Sequence, residues 1–239
     1  MHALLHLLSV VPGLERELRL LPLLVRAGHT CVDIGAAMGA YTLPLALLVG
    51  GTGRVLAFEP RPGAAHRLER LASIMRLQHV SVQAAAIGTA AAVGRLVVPR
   101  RRHHVPGRSY LSTGAVSDDL DDGLVPGQHL DVRIMSLDEV RSSLAAPIDF
   151  VKCDVEGAEL AVLRGARWVL SHDRPTLLCE IEERHAKRYG HRSSTVFDHL
   201  RAVGYVHIKT AAAQGLAARN ELFVPIERLD AVGRLLAAR

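Results

Sequence analysis

Two groups of acidic residues stand at the ends of apolar runs in this sequence. The first lies in CVDIGAAMGAYTL, Cys31 to Leu43, and continues to Glu59 at the end of RVLAFEP. The second is DVEG, Asp154 to Gly157, followed by Glu180, Glu182 and His185 in CEIEERH. A glycine turn at a strand end lets a ligand approach bare backbone. Carboxylates and an imidazole can take hydroxyl hydrogen bonds, meet a cation or accept a proton.

Spacing narrows the chemistry of the first group. Asp33 closes a strand, Gly35 and Gly39 flank a tight turn, and Tyr41 opens a helix whose free N–H groups point at the ligand. Glu59 follows Gly39 by 20 residues, where a strand-end carboxylate can accept both hydroxyls of a ribose. Asp33, Gly35, Gly39, Tyr41 and Glu59 are therefore the candidate cofactor-binding residues. The ligand they suit is adenosine-like, but not a dinucleotide. A pyrophosphate site needs G-x-G-x-x-G, whereas G-A-A-M-G lacks the middle glycine. Asp33 would also repel phosphate, and no GK[ST] phosphate loop is present. S-adenosylmethionine carries an ammonium, a carboxylate and a sulfonium but no phosphate, and fits better than NAD or ATP.

The elements that must position these groups alternate. TCVDIG, RVLAFEP and HVSVQAAAIG are expected strands, joined by helices over AYTLPLALLVG and from Pro62 through PGAAHRLERLASIMRL. Three strands with helical crossovers in so short a stretch imply a parallel α/β sheet. SLDEVRSSL is then an expected short helix, IDFVKCDVEG a strand, AELAVLRGARWVL a helix, PTLLCEIEE a strand and STVFDHLRAVG a helix ended by Gly204. YVHIKT and NELFVP follow, too closely joined for a full crossover, so they should pair antiparallel. Between the two halves, VGRLVVP and HLDVRIM should form a hairpin around a polar insert, residues 99–129. An irregular segment of that length suggests a functional lid. Its Arg100, Arg101, Arg102, His103 and His104 offer charge-assisted contacts to an anionic acceptor, or a solvated loop balanced by DDLDD. No linker divides the chain, so residues 1–239 are expected to be one domain, with 1–27 as an N-terminal helical extension.

Composition sets the outer bounds. At 239 residues and 49% hydrophobic content, the chain can bury a core without disulfides or metal. Its three cysteines, Cys31, Cys153 and Cys179, sit singly inside apolar runs. That arrangement suits a reduced, cytoplasmic protein without structural zinc. The opening MHALLHLLSVVPG lacks the basic start and cleavage site of a signal peptide and is too short to span a bilayer. Net charge is +5, which raises the question of nucleic acid. Aromatics make up only 4%, too few for base-stacking platforms, and many arginines fall at helical spacing as solvated faces.

The stretches VDIGAAMGAYTL, RVLAFEPRP, MSLDEV, FVKCDVEGAELAVLRGA and PTLLCEIEERH together resemble the FkbM family of S-adenosylmethionine-dependent methyltransferases. The similarity runs from about Gly28 to about Pro225, and Lys152 to Glu159 is its most specific part. The chain departs from the family pattern at Ser73 and Gln78, where Asn is usual, and at Ala37 and Met38, where Asn and Ile are usual. The resemblance implies a Rossmann-like class I methyltransferase fold: a seven-stranded, mostly parallel sheet with the last strand antiparallel and helices on both faces. It also implies methyl transfer to a hydroxyl of a sugar, glycan or secondary metabolite. An RNA methyltransferase and a non-catalytic binding protein are the alternatives.

In such a sheet the ligand sits at the carboxyl ends of the strands, which puts Asp154 and Glu156 at the site. Asp154 is the expected contact to the acceptor or base for its proton, with Glu156 orienting it or capping the next helix. His185 is a further candidate base. Glu180, Glu182 and His185 have the ligand types for a divalent ion, or else mark a wet strand end; no metal is assigned.

Overall fold

The computed structural model describes residues 16–101, 109–116, 124–209 and 220–237. Its central strands form where short apolar runs can be buried on both faces, as a sheet between helix layers demands. These are β1 (Thr30–Ile34), β2 (Arg54–Phe58), β8 (Phe150–Cys153) and β9 (Thr176–Glu180). With β3 (Val80–Gln83), β10 (Tyr205–Ile208) and β11 (Asn220–Pro225) they make a seven-stranded sheet in the order β10-β11-β9-β8-β1-β2-β3. Neighbours from β9 to β3 run parallel, and β11 is antiparallel to both β9 and β10. The antiparallel last strand expected from NELFVP is present.

Alternation along β1 divides the core. Val32 and Ile34 face a cluster with helices α5 (Glu159–Arg164), α6 (Arg167–His172) and α8 (Ser193–Ala202), through Leu160, Val169 and Leu200. Cys31 faces the other side, against Leu21 of α1 (Leu21–Leu24) and Leu45 of α2 (Thr42–Val49). Val232 of α9 (Leu229–Ala237) closes that second layer. Helix α3 (Pro62–Ile74) joins β2 to β3, with proline in its first turn, where a missing N–H costs nothing. Of the expected N-terminal helical extension, the described part is a 3₁₀ turn over Arg16–Leu20 leading into α1.

A second sheet, in the order β4-β7-β5-β6, stands beside the first. Its centre is the expected hairpin: β5 (Ala92–Arg101) pairs antiparallel with β7 (Leu124–Met135). Strand β6 (Tyr110–Leu111) adds to the outer side of β5. Here the sequence expectation differs. HVSVQAAAIG is not one strand: the chain bends at Ala84, leaves the first sheet after β3, and pairs β4 (Ala85–Ile87) parallel with β7.

AELAVLRGARWVL likewise is two helices, not one. Gly165, at the break, packs on the Gly88 carbonyl where a Cβ would overlap it. Helix α4 (Leu137–Ser142), capped by the Ser136 hydroxyl, then supplies Asp138, whose carboxylate accepts the N–H groups of Trp168 and Val169 at 3.0 Å each. That side chain satisfies the free donors at the start of α6, so a separate helix begins there. Helix α7 (Glu183–Arg188) and helix α9 were not anticipated.

Candidate active site

The glycine turn after β1 is held by its neighbours on both sides. Gly35 and Ala36 donate to the Phe58 carbonyl at 2.9 and 3.0 Å, while the Asp154 N–H donates to Ile34 at 2.9 Å. Gly35 has a φ of +85°, and a Cβ there would overlap the Asp154 carbonyl oxygen. The turn after β1 and the start of DVEG are thus packed backbone to backbone, which only glycine permits. Gly39 serves a different end: its φ is +87°, and a Cβ would lie 2.5 Å from Leu68 Cδ1 of α3.

Asp33 is buried below the turn, where its carboxylate accepts the Thr42 hydroxyl at the start of α2. Burial pushes its carboxyl up to about 6, against the pull of Thr42 and Lys152. Tyr41 is also buried, its ring 4.8 Å from the Lys152 ammonium.

Glu59 is only 3% exposed, yet its carboxylate is crowded with donors. Oε2 accepts the Ala37 N–H at 2.9 Å, and Oε1 accepts the Arg61 N–H at 2.9 Å. The Arg61 guanidinium adds Nε to Oε1 at 2.7 Å and Nη2 to Oε2 at 3.3 Å. A carboxylate has about four lone-pair sites, so a ribose diol can engage both oxygens only where the guanidinium now sits. Arg61→Ala removes that competitor. The expected result is a cofactor Kd about 2-fold to 10-fold tighter by calorimetry, for the roughly 0.5–1.5 kcal/mol of one hydrogen-bonded contact. A weaker Kd would mean that Arg61 grips the ligand instead of excluding it.

These groups face a cavity of about 240 Å³ at the carboxyl ends of β1, β2 and β8, whose walls include Gly35, Ala37, Glu59, Asp154, Glu156 and Tyr110. The structure therefore brings Gly35, Glu59, Asp154 and Glu156 to one space. Asp33, Gly39, Tyr41 and His185 lie outside that lining.

In the DVEG turn, Glu156 itself has a φ of +55° and Gly157 one of +107°. For a glutamate the left-handed region is a costly conformation, and it is held by two contacts. The Glu156 carboxylate meets Nδ1 of the buried His185 at 3.1 Å, and its carbonyl accepts from Arg188 Nη1 at 3.3 Å. Glu156 does not cap α5. Glu159 closes the turn instead, accepting the Gly157 N–H at 3.0 Å and the Val155 N–H at 3.4 Å. Burial pushes Glu159 up to about 7 despite those bonds. His185 stands behind Glu156, in contact with its carboxylate.

Sequence reasoning missed the wall opposite. Tyr110 of β6 lies under the Arg188 guanidinium, 4.1 Å from its ring centroid. The Tyr189 hydroxyl donates to the Leu111 carbonyl at 2.8 Å, and the Val116 N–H donates to the Arg188 carbonyl at 2.8 Å. The described part of the insert is therefore latched to α7 and the DVEG turn. The only sequence signal was a Tyr and a Leu inside a polar stretch, facing an unanticipated helix. Arg102, His103 and His104 lie outside the described residues, and Arg100 and Arg101 fall in β5. Among the described residues no group of three or more His, Cys, Asp or Glu side chains could hold a metal ion. No described helix is long and apolar enough to cross a membrane.

The site fits S-adenosylmethionine in its donor set. A strand-end carboxylate at Glu59 beside the bare backbone of Gly35 and Ala37 suits a nucleoside. The sequence profile of the methyltransferase FkbM domain matches residues 33–206. No curated protein matches the chain significantly. Among solved structures it is similar to methyltransferase FkbM from Methylobacillus flagellatus KT, at 18% identity and a TM-score of 0.52 over 82% of this chain and 43% of that one. The chain thus spans less than half the length of that relative. It is also similar to fibrillarin from Aeropyrum pernix in complex with natively bound S-adenosyl-L-methionine, at 13% identity and a TM-score of 0.50 over 92% of this chain and 72% of that one. At these identities the structural likeness speaks to the fold, while the profile covers well over half of the sequence. The chain belongs to the methyltransferase FkbM domain family, whose methyl donor is S-adenosylmethionine.

Proposed function

We propose that this protein is an S-adenosylmethionine-dependent O-methyltransferase acting on a hydroxyl of a sugar, glycan or secondary metabolite. The observation that carries this reading is the shared cavity: the nucleoside-type groups Gly35, Ala37 and Glu59 and the acids Asp154 and Glu156 line one space. S-adenosylmethionine, when bound, supplies an electrophilic methyl group on a sulfonium. The chain's own tasks are then to align an acceptor oxygen, exclude water and receive a proton.

Glu59 and the Gly35–Ala37 backbone hold the nucleoside side. Asp154 meets the acceptor hydroxyl, with the buried Lys152 ammonium 3.8 Å from its Oδ2. Glu156, fixed by His185, borders the same space and orients the acceptor. Tyr110 and Leu96 cover the far side with apolar surface and limit water.

Calorimetric titration with S-adenosylhomocysteine, with NADH alongside, tests the cofactor half: binding on the order of micromolar is expected for the first and none for the second. Transfer of labelled methyl to a panel of hydroxyl compounds tests the rest, with Asp154→Asn expected to lower kcat by about 10²-fold to 10⁴-fold. Full activity in that variant would remove Asp154 from the chemistry.

A further inference from the structure

Methylation of a hydroxyl releases a proton into a cleft built to exclude water, so the proton needs a way out. Beside Asp154 stands a carboxyl group that the reaction above does not use. Strands β8 and β9 are parallel with Cys153 opposite Cys179, which sets Glu180 next to Asp154 at the following position. Glu180 is 7% exposed, and its carboxyl is hydrogen-bonded both to Asp154 and to Glu182. At the other end, Glu182 is fixed by the half-exposed Arg184, through Nε at 2.6 Å and Nη2 at 3.2 Å. Asp154 at the cavity wall, the buried Glu180 beside it and the partly exposed Glu182 thus stand as neighbours.

We propose that Asp154, Glu180 and Glu182 form a carboxyl relay that carries the acceptor's proton from the cleft to solvent, a role that rests on the methyltransferase function above. Carboxylates in direct hydrogen-bond contact cannot all be ionised without large repulsion, so the group between them retains a proton. Glu180 is that group: burial first, then the Asp154 charge, push it up to about 9. A protonated carboxyl is both donor and acceptor, which a central relay member requires. The charged and polar groups around it agree. Lys152 and Asp154 face it from β8, Asp33 of β1 bears on the same lysine and aspartate, Glu182 lies at its own strand's end, and the uncharged Asn220 is its partner on β11.

The steps balance. As the new carbon–oxygen bond forms and the carbon–sulfur bond breaks, the hydroxyl proton passes to Asp154. Glu180 passes its own proton to Glu182 and takes the one on Asp154, and Glu182 releases a proton to water. A cationic donor and a neutral alcohol become a neutral thioether, an ether and one proton.

Carboxyl-carbon NMR titration of the full chain tests this without an acceptor. The Glu180 signal is expected to titrate near pH 9, against about 4.3 for an ordinary glutamate. Asp154→Asn and Glu182→Gln should each lower that midpoint. In Glu180→Gln, which keeps the shape, the Glu182 signal should stop responding to Asp154→Asn. A Glu180 midpoint in the ordinary range, or one unmoved by either neighbour, overturns the relay.

Unfolding provides a second readout. A carboxyl whose folded pKa is raised contributes stability that is present at low pH and lost as pH climbs through the folded value. Asp33 and Glu159 spend most of that contribution by about pH 7, and the buried Cys31 and Cys153 thiols add a fall of their own at higher pH, so the part of the fall between pH 7 and 9 that Glu180→Gln removes is the part due to Glu180. Titration of the same samples with S-adenosylhomocysteine separates the failures. Wild-type protein that does not bind it refutes the methyltransferase function, whereas normal binding with an ordinary Glu180 refutes the relay alone.

Discussion

Gly35→Ala is expected to cost about 2–5 kcal/mol of folding stability and to abolish cofactor binding in whatever remains folded. Two terms add. A left-handed φ costs an alanine roughly 1–2 kcal/mol, and forcing a methyl into packed structure costs about 1–3 kcal/mol more. At Gly35 the obstacle is backbone, the Asp154 carbonyl, which cannot rotate aside as a side chain would. Gly114 gives the control: its φ is +86°, but a Cβ there would meet nothing within 4 Å. Gly114→Ala should therefore show the conformational term alone in urea unfolding. Equal losses in the two variants would mean that the contact between the glycine turn and DVEG contributes nothing.

The second large effect is on ligand affinity. Glu59→Ala should weaken S-adenosylhomocysteine binding by about 30-fold to 1,000-fold, the equivalent of roughly 2–4 kcal/mol for two charge-assisted bonds to a ribose. The loss has an indirect component, since the Ala37 N–H and the Arg61 guanidinium lose the acceptor that fixes them. Comparing Glu59→Ala in the wild-type and Arg61→Ala backgrounds separates the two, because the indirect part through Arg61 disappears in the second. An unchanged Kd in both would end the ribose assignment.

Much of this was visible in the sequence, and the reasons for what was not are local. Strand runs such as TCVDI and TLLCE are apolar on both faces and bounded by turn residues, so order and direction in the main sheet could be derived. That Gly35, Glu59 and Asp154 would border one space could be derived because strand ends in such a sheet converge on one crevice. The roles of Asp33 and Gly39 could not, because the sequence shows spacing but not depth: one is satisfied by Thr42 beneath the turn and the other clears Leu68. The Asn that the family resemblance implies at the position of Ala37 has a physical rationale, since Ala37 has a φ of +48° and Asn tolerates that region best after glycine. The split of AELAVLRGARWVL depended on Asp138, 30 residues upstream of Trp168, reaching the second helix start. Helical periodicity carries no trace of so distant a cap. Helix α7 is short, charged and buried through His185 and Arg188 by ion pairing and ring contact, which a search for apolar faces passes over.

The bend at Ala84 has a consequence beyond strand assignment. It places the root of the second sheet within the wall of the candidate cofactor cavity, since Ala85, Ala86 and Ile87 line it while pairing with β7. The connection between β5 and β7 returns to the same cavity, because Tyr110 and Leu111 of β6 line it as well. A change of residues in either sheet's share of that wall therefore alters the space left beside the glycine turn, and the second sheet cannot drift independently of the first.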